Sequence, residues 1–394
     1  MRLLEKLLAV SALLSAALAP VCAQGFAPRA RDLGVPFDGA TGPLNAITDV
    51  PGVEVGVTTL IRGGGPLKVG EGPVRTGVTV VLPRGKSNPD PVYAGWFSLN
   101  GNGEMTGTAW VDESGFLNGP VAITNTHSVG LVRDSVIAWA IRNRLVTEDE
   151  WSLPVVAETW DGWLNDINGF HVTQPDVFAA LDAARTGSVP EGNTGGGTGM
   201  VCYGFKGGTG TSSRVLAKED GGYTVGVLVQ CNCGRRPQLT IAGVPVGKEI
   251  PGNEPYAELH PNARPGNDSQ SDVGSIIIVV ATDAPLLPHQ LKRLARRAAL
   301  GLARTGSVSG NSSGDIFLAF STANPHADAV PGPNTVQTVS TERITPLFSA
   351  TVEATEEAIV NAMVAAKTMT GANGRTVIAL PHDKLQQVLK KYSR

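Results

Sequence analysis

Five consecutive β-branched residues, Ile276 to Val280, restrict the possible folds more than any other stretch of the chain. Successive side chains of a β-strand point to opposite faces of the sheet, so this run presents apolar side chains on both faces. A sheet that contains such a strand must be covered on both sides. The run therefore predicts a fully buried strand from Ser275 to Ala281, in the interior of a layered fold.

Shorter apolar runs, separated by glycine and proline, alternate with helical patterns along the rest of the 394 residues. β-Branched segments predict further strands at 53–60, 77–82, 121–124, 223–230 and 316–320. Apolar periodicity predicts helices at 132–144, 175–184, 287–303 and within 345–368. This mixture indicates an α/β fold in which helices cover the sheets. The glycine-rich stretch 192–210 predicts a mobile loop, without the Gly-Lys-Ser/Thr ending of a phosphate-binding loop.

The segment between Gly234 and Gly274 interrupts this alternation, because it contains six prolines. It ends in the polar stretch 266–272, which has no apolar residue to anchor it and is expected to be exposed and cleavable. The sequence on either side shows no second core and no internal repeat. We therefore expect one domain, interrupted by a cleavable connection.

The first residues have the pattern of a secretory signal. Arg2 and Lys6 are positive, 7–20 is apolar, and the small residue Ala23 ends a cleavage motif. The apolar run is too short to span a bilayer, and a lipid anchor on Cys22 fits its neighbours poorly. Residues 1–23 are therefore predicted to be a signal peptide, and the mature protein is predicted to be periplasmic or secreted, without a membrane partner after export.

Charge and cysteine content exclude several functions. The net charge is −3 with no basic stripe, so a nucleic acid is not an expected partner. Three cysteines remain after residue 23, namely Cys202, Cys231 and Cys233. Three is not a disulfide framework, and a bridge between Cys231 and Cys233 would be strained, so all three are interpreted as small buried apolar residues. The six histidines are scattered, and neither a metal site nor a cofactor is expected.

Two serines compete as a nucleophile. Ser312 lies within 310–314, which matches the Gly-x-Ser-x-Gly pattern of a nucleophile elbow. That elbow needs a buried strand before the serine and a helix after it. Here 305–309 is polar and 316–320 is typical of a strand, so the context disfavours an elbow.

Ser275 follows a flexible polar stretch and begins the most apolar strand. Its hydroxyl could attack the carbonyl carbon of Gly274 and open the chain, leaving Ser275 with a free α-amine. Such an amine has an ordinary pKa near 8 and can accept the proton of its own hydroxyl. From the residue pattern alone, a serine that merely starts a strand remains the simpler interpretation.

The chain resembles the self-processing serine aminopeptidases, the family of L-aminopeptidase D-Ala-esterase/amidase and the β-peptidyl aminopeptidases. The resemblance runs over nearly the whole chain after residue 23 and is specific because many motifs agree. The motifs lie at 28–34, 45–50, 100–104, 124–130, 227–230, 274–286 and 313–315.

The resemblance implies self-cleavage between Gly274 and Ser275, with Ser275 as the catalytic nucleophile. It further implies that Ser313 and Asp315 hold the new α-amine, although some relatives carry glutamate in place of this aspartate. It also implies that the side chain of Asn232 stabilises the oxyanion.

The same resemblance implies a substrate-binding set. Glu158 would bind the amine of the substrate through a charge-assisted hydrogen bond. Trp160 would line the pocket or offer its indole N–H, while Asn102 and Glu104 would line the pocket or brace Glu158. His127 is a tempting general base, but an α-amine makes it unnecessary, and a structural role is favoured.

The implied fold is an αββα sandwich of the self-cleaving aminopeptidase and ornithine acetyltransferase type. Its single domain would comprise an N-terminal chain, 24–274, and a C-terminal chain, 275–394, and these two-chain units would form a homo-oligomer. The implied substrate is a small peptide, or an amino-acid amide or ester, with β-, L- and D-residues left open. Two alternatives stay open, an acyltransferase like the ornithine acetyltransferases and a periplasmic binding protein without enzymatic activity.

Overall fold

The structure, a computed structural model, describes residues 27–147, 149–255 and 274–394. The predicted signal segment 1–23 and the polar stretch 266–272 lie outside the described residues. The strands are β1 (Glu54–Arg62), β2 (Val74–Leu82), β3 (Val92–Gly101), β4 (Phe116–Leu117), β5 (Val121–Asn125), β6 (Val155–Thr159), β7 (Val201–Cys202), β8 (Phe205–Lys206), β9 (Gly208–Val215), β10 (Thr224–Asn232), β11 (Ser275–Thr282), β12 (Gly314–Ser321), β13 (Met369–Thr370) and β14 (Thr376–Val377).

Helices connect these strands at several points along the chain. They are α1 (Thr108–Ser114), α2 (Val129–Arg142), α3 (Gln174–Asp182), α4 (Val246–Glu249), α5 (Pro288–Arg304), α6 (Thr345–Val364) and α7 (His382–Lys391). No helix within the described ranges combines the length and the apolar composition that crossing a bilayer requires.

Two sheets face each other in the centre of the molecule. One has four strands in the order β1-β2-β5-β6, and the other has six in the order β4-β3-β12-β11-β10-β9. A continuous apolar cluster fills the space between them, with Val81 and Ile123 from the first sheet meeting Ile277 and Leu318 from the second. This cluster is the central layer of the core.

Helices cover the outer face of each sheet. The four-stranded sheet packs against α2 and α3 through residues such as Val80, Val136 and Leu181. The six-stranded sheet packs against α5 and α6 through residues such as Ile278 and Ile359. The layers are therefore helix, sheet, sheet, helix, and the predicted αββα sandwich is confirmed.

The predicted buried strand is β11, which lies between its neighbours β10 and β12 in the larger sheet. It runs antiparallel to β10 and parallel to β12. Ile277 and Val279 face the other sheet, whereas Ile276 and Ile278 face the helices. Each of these side chains is fully buried, which contributes roughly 1.5–3 kcal/mol per residue relative to an exposed position.

The expectation of a mobile loop at 192–210 is wrong. This stretch forms a buried 3-10 turn, Gly195–Gly199, followed by β7, β8 and the start of β9. A Cβ at Gly196 would lie 2.1 Å from the Gln230 side chain, and one at Gly197 would lie 2.3 Å from a backbone nitrogen. The glycines are present because the backbone packs closely between the sheets, and they do not indicate mobility.

The N-terminal motifs of the resemblance attach the start of the chain to α6. Glu357 of α6 is fully buried, and its carboxylate accepts hydrogen bonds from Arg31, at 2.8 Å, and Asn45, at 2.6 Å. Arg214 of β9 pairs with the same carboxylate at 2.8 Å. One buried acid thus joins three distant parts of the sequence.

Candidate active site

The ends of several strands meet at one edge of the sandwich. Across the larger sheet, Asn232 at the end of β10 pairs with Ser275 at the start of β11, which pairs with Gly314 at the start of β12. In the smaller sheet, Glu158 lies near the end of β6, beside Thr124 of β5. Strand register therefore gathers residues that are far apart in sequence.

Ser275 is 6% exposed, and its hydroxyl oxygen is held by the backbone of β12. The Gly314 N–H donates to Ser275 Oγ at 3.1 Å and also lies 3.3 Å from the carbonyl oxygen of Gly274. A Cβ at Gly314 would lie 2.4 Å from the Asn102 carbonyl oxygen, so only glycine fits there. One backbone donor thus reaches both the predicted nucleophile and the carbonyl that precedes it.

Ser313 and Asp315 form a buried pair next to Ser275. The Ser313 hydroxyl donates to Asp315 Oδ1 at 2.7 Å, and the Ile276 N–H donates to the same oxygen at 3.2 Å. The pair therefore lies one residue along the backbone from the nitrogen of Ser275. This is where a carboxylate would have to lie to hold an α-amine of Ser275.

Asn232 is buried with its amide oriented by two backbone groups. Its Oδ1 accepts a hydrogen bond from the Val201 N–H at 2.7 Å, and its Nδ2 donates to the Trp160 carbonyl at 3.0 Å. An amide NH₂ has two donors, so the second proton of Nδ2 can serve another acceptor. The register places this donor beside Ser275.

Glu158 is a buried carboxylate with two donors in contact. The Glu104 N–H donates to Oε1 at 3.1 Å, and the Thr126 hydroxyl donates to Oε2. Burial raises the pKa of Glu158, while the Thr126 hydroxyl and the Glu104 N–H partly counteract this by stabilising its charge. A buried carboxylate that retains some unsatisfied charge suits a protonated amine as ligand.

The segment 100–104 lies between Glu158 on the smaller sheet and the start of β12 on the larger sheet. Asn100 Nδ2 donates to two carbonyls in 309–310, and Asn102 Nδ2 donates to the Ser312 carbonyl at 2.7 Å, so both asparagines fasten the loop that precedes β12. A Cβ at Gly103 would lie 3.2 Å from Glu158 Oε1 and 3.1 Å from the Gly314 Cα. The side chain of Glu104 is exposed, and its contact with Glu158 comes from the backbone.

The backbone and the ring of Trp160 make contacts with different parts of the structure. Its carbonyl accepts the hydrogen bond from Asn232, while its half-buried indole packs with an apolar cluster that includes Trp163, Leu164 and Met369. A Cβ at Gly162 would lie 2.7 Å from the indole. The main chain of Trp160 therefore contacts Asn232, whereas its ring packs in the apolar cluster.

The rivals to Ser275 have other surroundings. His127 is exposed, and its ring stacks on Phe170 with centroids 6.0 Å apart. Ser312 precedes the strand β12 and is not followed by a helix, as the elbow pattern would need. The donor to Ser275 Oγ is the Gly314 N–H, which the sequence pattern did not point to.

Two further buried ionisable groups interact electrostatically with each other, and one of them also interacts with Glu158. Asp161 and Lys206 are both fully buried. Burial raises the pKa of Asp161 to about 7 and lowers that of Lys206 to about 7, although the Asp161 charge raises the latter. The Lys206 ammonium donates to the carbonyls of Met200 and Gly207 at 2.7 and 2.8 Å. Lys206 therefore holds the glycine-rich segment 192–210, for which a mobile loop was predicted.

The three cysteines are buried as predicted, but the interpretation of all three as simple apolar residues is wrong. Cys202 and Cys231 form a disulfide with 5.9 Å between their Cα atoms. The disulfide joins β7 to β10, and the strained bridge between Cys231 and Cys233 is not formed. The pairing could not be predicted from the spacing of the cysteines, because Cys202 lies 29 residues before Cys231.

A cavity of about 800 Å³ lies at the opposite edge of the sandwich. Its walls include Leu82 at the end of β2, Val92 at the start of β3, and the indoles of Trp110 and Trp139. None of the predicted site residues lines it. The cavity and the hydrogen-bonded groups around Ser275 therefore lie at opposite edges of the sandwich.

Several known proteins are similar to this chain over most of its length. A β-peptidyl aminopeptidase, BapA, of Sphingosinicella microcystinivorans is 56% identical over 376 residues, which is 93% of each chain. The structure of L-aminopeptidase D-Ala-esterase/amidase from Ochrobactrum anthropi, described as a variant of the Ntn hydrolase fold, superposes with a TM-score of 0.85 at 50% identity. The match covers 93% of this chain and 99% of that one.

A β-aminopeptidase of Burkholderia sp. superposes with a TM-score of 0.82 at 47% identity, covering 92% of this chain and 99% of the other. Residues 45–377 match the family model of peptidase family S58. These similarities cover both sheets and every residue of the candidate site. The chain therefore belongs to peptidase family S58 and is a hydrolase that acts on peptide bonds.

Proposed function

We propose that this protein is an exported aminopeptidase that cleaves its own chain before Ser275 and then uses Ser275 as an N-terminal nucleophile. The observation that carries the proposal is the convergence of a buried serine hydroxyl, a backbone N–H, a buried amide and a buried carboxylate at one sheet edge. A serine hydrolase that recognises a free amine can use these four groups as nucleophile, two oxyanion donors and amine ligand. The family membership and the relatives described above support the same conclusion.

Self-cleavage would begin with attack of Ser275 Oγ on the carbonyl carbon of Gly274. The peptide C–N bond breaks, an ester forms, and the proton of the hydroxyl passes to the departing nitrogen. Water then hydrolyses the ester, leaving a carboxylate on Gly274 and an α-amine on Ser275. The Gly314 N–H, 3.3 Å from the Gly274 carbonyl oxygen, is positioned to stabilise the charge that develops on that oxygen.

Peptide hydrolysis would repeat this chemistry on a substrate. Glu158 binds the substrate ammonium, and Ser275 Oγ attacks the first carbonyl while its own α-amine takes the hydroxyl proton. Asn232 Nδ2 and the Gly314 N–H stabilise the oxyanion. The proton then passes to the leaving amine, and water releases the acyl group from Ser275. Ser313 and Asp315 hold the α-amine against the hydroxyl throughout.

We further propose that β-amino-acid residues at the N-terminus are the preferred substrates. The 56% identity with a β-peptidyl aminopeptidase supports this choice, with L-residues and D-alanine amides or esters as the competing possibilities. The predicted signal peptide, 1–23, supports a periplasmic or secreted location. The two chains, 24–274 and 275–394, are proposed to remain one domain and to assemble as a homo-oligomer, without metal, nucleic acid or membrane partner.

The decisive experiment is N-terminal sequencing of the purified protein together with Ser275→Ala and Ser312→Ala variants. Wild type is expected to give two chains, one beginning at Gln24 and one at Ser275. Ser275→Ala is expected to stay as one inactive chain. Ser312→Ala is the matched control, since it removes a nearby hydroxyl and should leave both cleavage and activity intact. An uncut wild-type chain with full activity would rule the mechanism out.

The amine-recognition step has its own test. Glu158→Gln keeps the shape of the side chain but loses the charge, so kcat/KM should fall by about 100-fold or more, in line with removal of one partner of a buried charged pair. Glu104→Gln is the control, because that carboxylate is exposed and its backbone N–H is retained.

Substrate choice is measured on p-nitroanilides of a β-amino acid, L-alanine and D-alanine. Each is compared with its N-acetylated form, which should not be hydrolysed because it carries no ammonium for Glu158. Turnover that required an acceptor amine in place of water would favour the acyltransferase alternative. A preference for L-alanine would overturn the substrate proposal and leave the nucleophile proposal standing.

A further inference from the structure

The residue proposed to stabilise the oxyanion lies between two cysteines. Side chains alternate along a strand, so Cys231 and Cys233 share one face of β10 while Asn232 points to the other. The two cysteines and Cys202 lie on the helix-facing side of the sheet and are all buried. Cys202 is bonded to Cys231, and the sulfur of Cys233 lies 3.9 Å from each of the other two.

Three consecutive residues, 201–203, are tied to three consecutive residues, 231–233, at the end of β10. The ties are a hydrogen bond from the Val201 N–H to Asn232 Oδ1 at 2.7 Å, the disulfide between Cys202 and Cys231, and a hydrogen bond from the Tyr203 N–H to the Cys233 carbonyl at 2.7 Å. The covalent bond lies between the two hydrogen bonds. It therefore restricts how far β7 can move away from the end of β10.

This attachment supplies one of the two hydrogen bonds that orient the Asn232 amide. A backbone N–H can only donate, so the atom of Asn232 that faces Val201 must be the oxygen. The NH₂ group then faces the opposite way, toward the Trp160 carbonyl. If Val201 moved away, only the Trp160 carbonyl would still orient the amide. The amide would then be held less tightly, and a turned-over amide would present an oxygen to the reaction centre, where it would repel an oxyanion instead of stabilising it.

We propose that the Cys202–Cys231 disulfide is a positioning device for catalysis, which keeps Val201 against Asn232 and so fixes the amide with its NH₂ group toward the reaction. The inference rests on the proposed role of Asn232. A buried disulfide also constrains the unfolded chain and can stabilise the protein for that reason alone. The test must therefore measure the catalytic step as well as stability.

Cys202→Ala breaks the disulfide and leaves Cys231 and Cys233, whose short mutual bridge would be strained. Its kcat is expected to fall about tenfold, a fraction of the 10²–10³-fold that loss of an oxyanion donor costs. KM should change little, because Glu158 holds the substrate amine and does not contact the disulfide. Cys233→Ala is the matched control, since it deletes a buried sulfur of the same cluster, leaves the disulfide intact and should keep a wild-type kcat.

A double-mutant cycle with Asn232→Ala separates positioning from general destabilisation. If the disulfide acts through Asn232, adding Cys202→Ala to Asn232→Ala should lower kcat no further. A purely structural role would lower kcat by the same factor in both backgrounds, and that result would overturn the inference. Asn232→Ala with full kcat would instead contradict the proposed function, so the two failures are distinguishable.

Peptide mapping of the wild-type protein, isolated and digested without reductant, tests the bond itself. The expected product is the peptide that contains Cys202 linked to the one that contains Cys231. Alkylation of all three cysteines without prior reduction would overturn the inference, whether or not the variants fold.

Discussion

Backbone N–H groups make several of the hydrogen bonds that organise the site. Gly314 donates to Ser275, Glu104 to Glu158, and Val201 to Asn232. The side chains could be predicted because they lie in motifs that resemble a known family. The backbone donors could not, because every residue except proline carries an N–H and only the fold decides which one points inward. Thr126 could have been found, since it lies in the motif 124–130.

The Thr126 hydroxyl should control the pH dependence of substrate binding. Burial raises the pKa of Glu158, and the Thr126 hydrogen bond lowers it. Glu158 must be ionised to bind an ammonium, so kcat/KM should fall as pH drops through this raised pKa. Thr126→Val removes the donor, raises the pKa further and moves this acid limb to higher pH, so that kcat/KM on the acid limb, below both pKa values, should be about tenfold lower than in the wild type.

Thr126→Ser is the control for this prediction, because it keeps the hydroxyl and should retain the wild-type profile. The measurement is kcat/KM from pH 4 to pH 9. An unchanged acid limb in Thr126→Val would show that the hydroxyl does not act on Glu158.

Gly314 offers a second prediction at this scale. Gly314→Ala places a methyl group 2.4 Å from the Asn102 carbonyl oxygen, which must displace the start of β12 and with it the donor to Ser275. We expect loss of self-cleavage and activity, read by electrophoresis and by amide hydrolysis. Gly101, its partner on β3, is the matched control, since a Cβ there has its nearest neighbour at 3.9 Å and Gly101→Ala should be cleaved and active.

Several secondary-structure elements with a clear apolar pattern could be predicted. A strand of small and polar residues that is buried only because a helix packs on it could not. The strand at β11 and the helices α5 and α6 have periodicities that identify them. In contrast, β9 reads Gly-Thr-Gly-Thr-Ser-Ser-Arg-Val, which has no strand signal, yet it is buried beneath α6. Its small residues let α6 approach closely, a tertiary reason that local sequence does not reveal. Strand β6 was not predicted either.

The close approach of α6 to β9 makes Gly210 sensitive to any side chain. A Cβ there would lie 2.1 Å from the Ala358 carbonyl oxygen of α6. Gly210→Ala should lower the free energy of unfolding by at least the 1–3 kcal/mol typical of overpacking, about the size of a large mutational effect. Urea titration followed by circular dichroism measures it.

Gly130→Ala is the control for that substitution. Gly130 lies in the first turn of α2, where a Cβ would meet nothing within 4 Å. Alanine is the better helix former, so this change should leave stability equal or slightly higher. Equal losses in both variants would show that the α6–β9 spacing is not the cause.

At the scale of the whole molecule, buried charge joins the N-terminal segment to the core. Burial alone would raise the pKa of Glu357, but the Arg31 hydrogen bond, the Arg214 charge and the Asn45 hydrogen bond together hold its pKa below the usual range. A lowered carboxyl pKa contributes stability that is complete above the unfolded-state value, about 4.3, and is lost as pH falls through the folded-state pKa.

Glu357→Gln should therefore destabilise the protein most at neutral pH. The loss there is expected to be about 3 kcal/mol, because the variant removes the carboxylate 2.8 Å from buried Arg214 and leaves only Glu353, at 3.6 Å, to balance its charge. The difference from wild type should shrink as pH falls below the unfolded-state value and through the lowered pKa of folded Glu357. Unfolding in urea at pH 7 and pH 3.5 checks both statements. Glu249→Gln, which removes a half-buried partner of exposed Lys391, is the control and should change the free energy of unfolding far less than Glu357→Gln does at pH 7, at either pH.

The place of β11 and β12 in the larger sheet has a consequence for assembly. Both strands follow residue 274, yet they lie between β3 and β10, which precede it. A chain cut before Ser275 would therefore be two polypeptides that interleave in one sheet, so that neither has a complete sheet without the other. Their refolding would be a second-order reaction, unlike that of the uncut Ser275→Ala chain. Recovery after denaturation should rise with protein concentration for the cut form and be independent of it for the uncut form, which would make maturation a step that is hard to reverse.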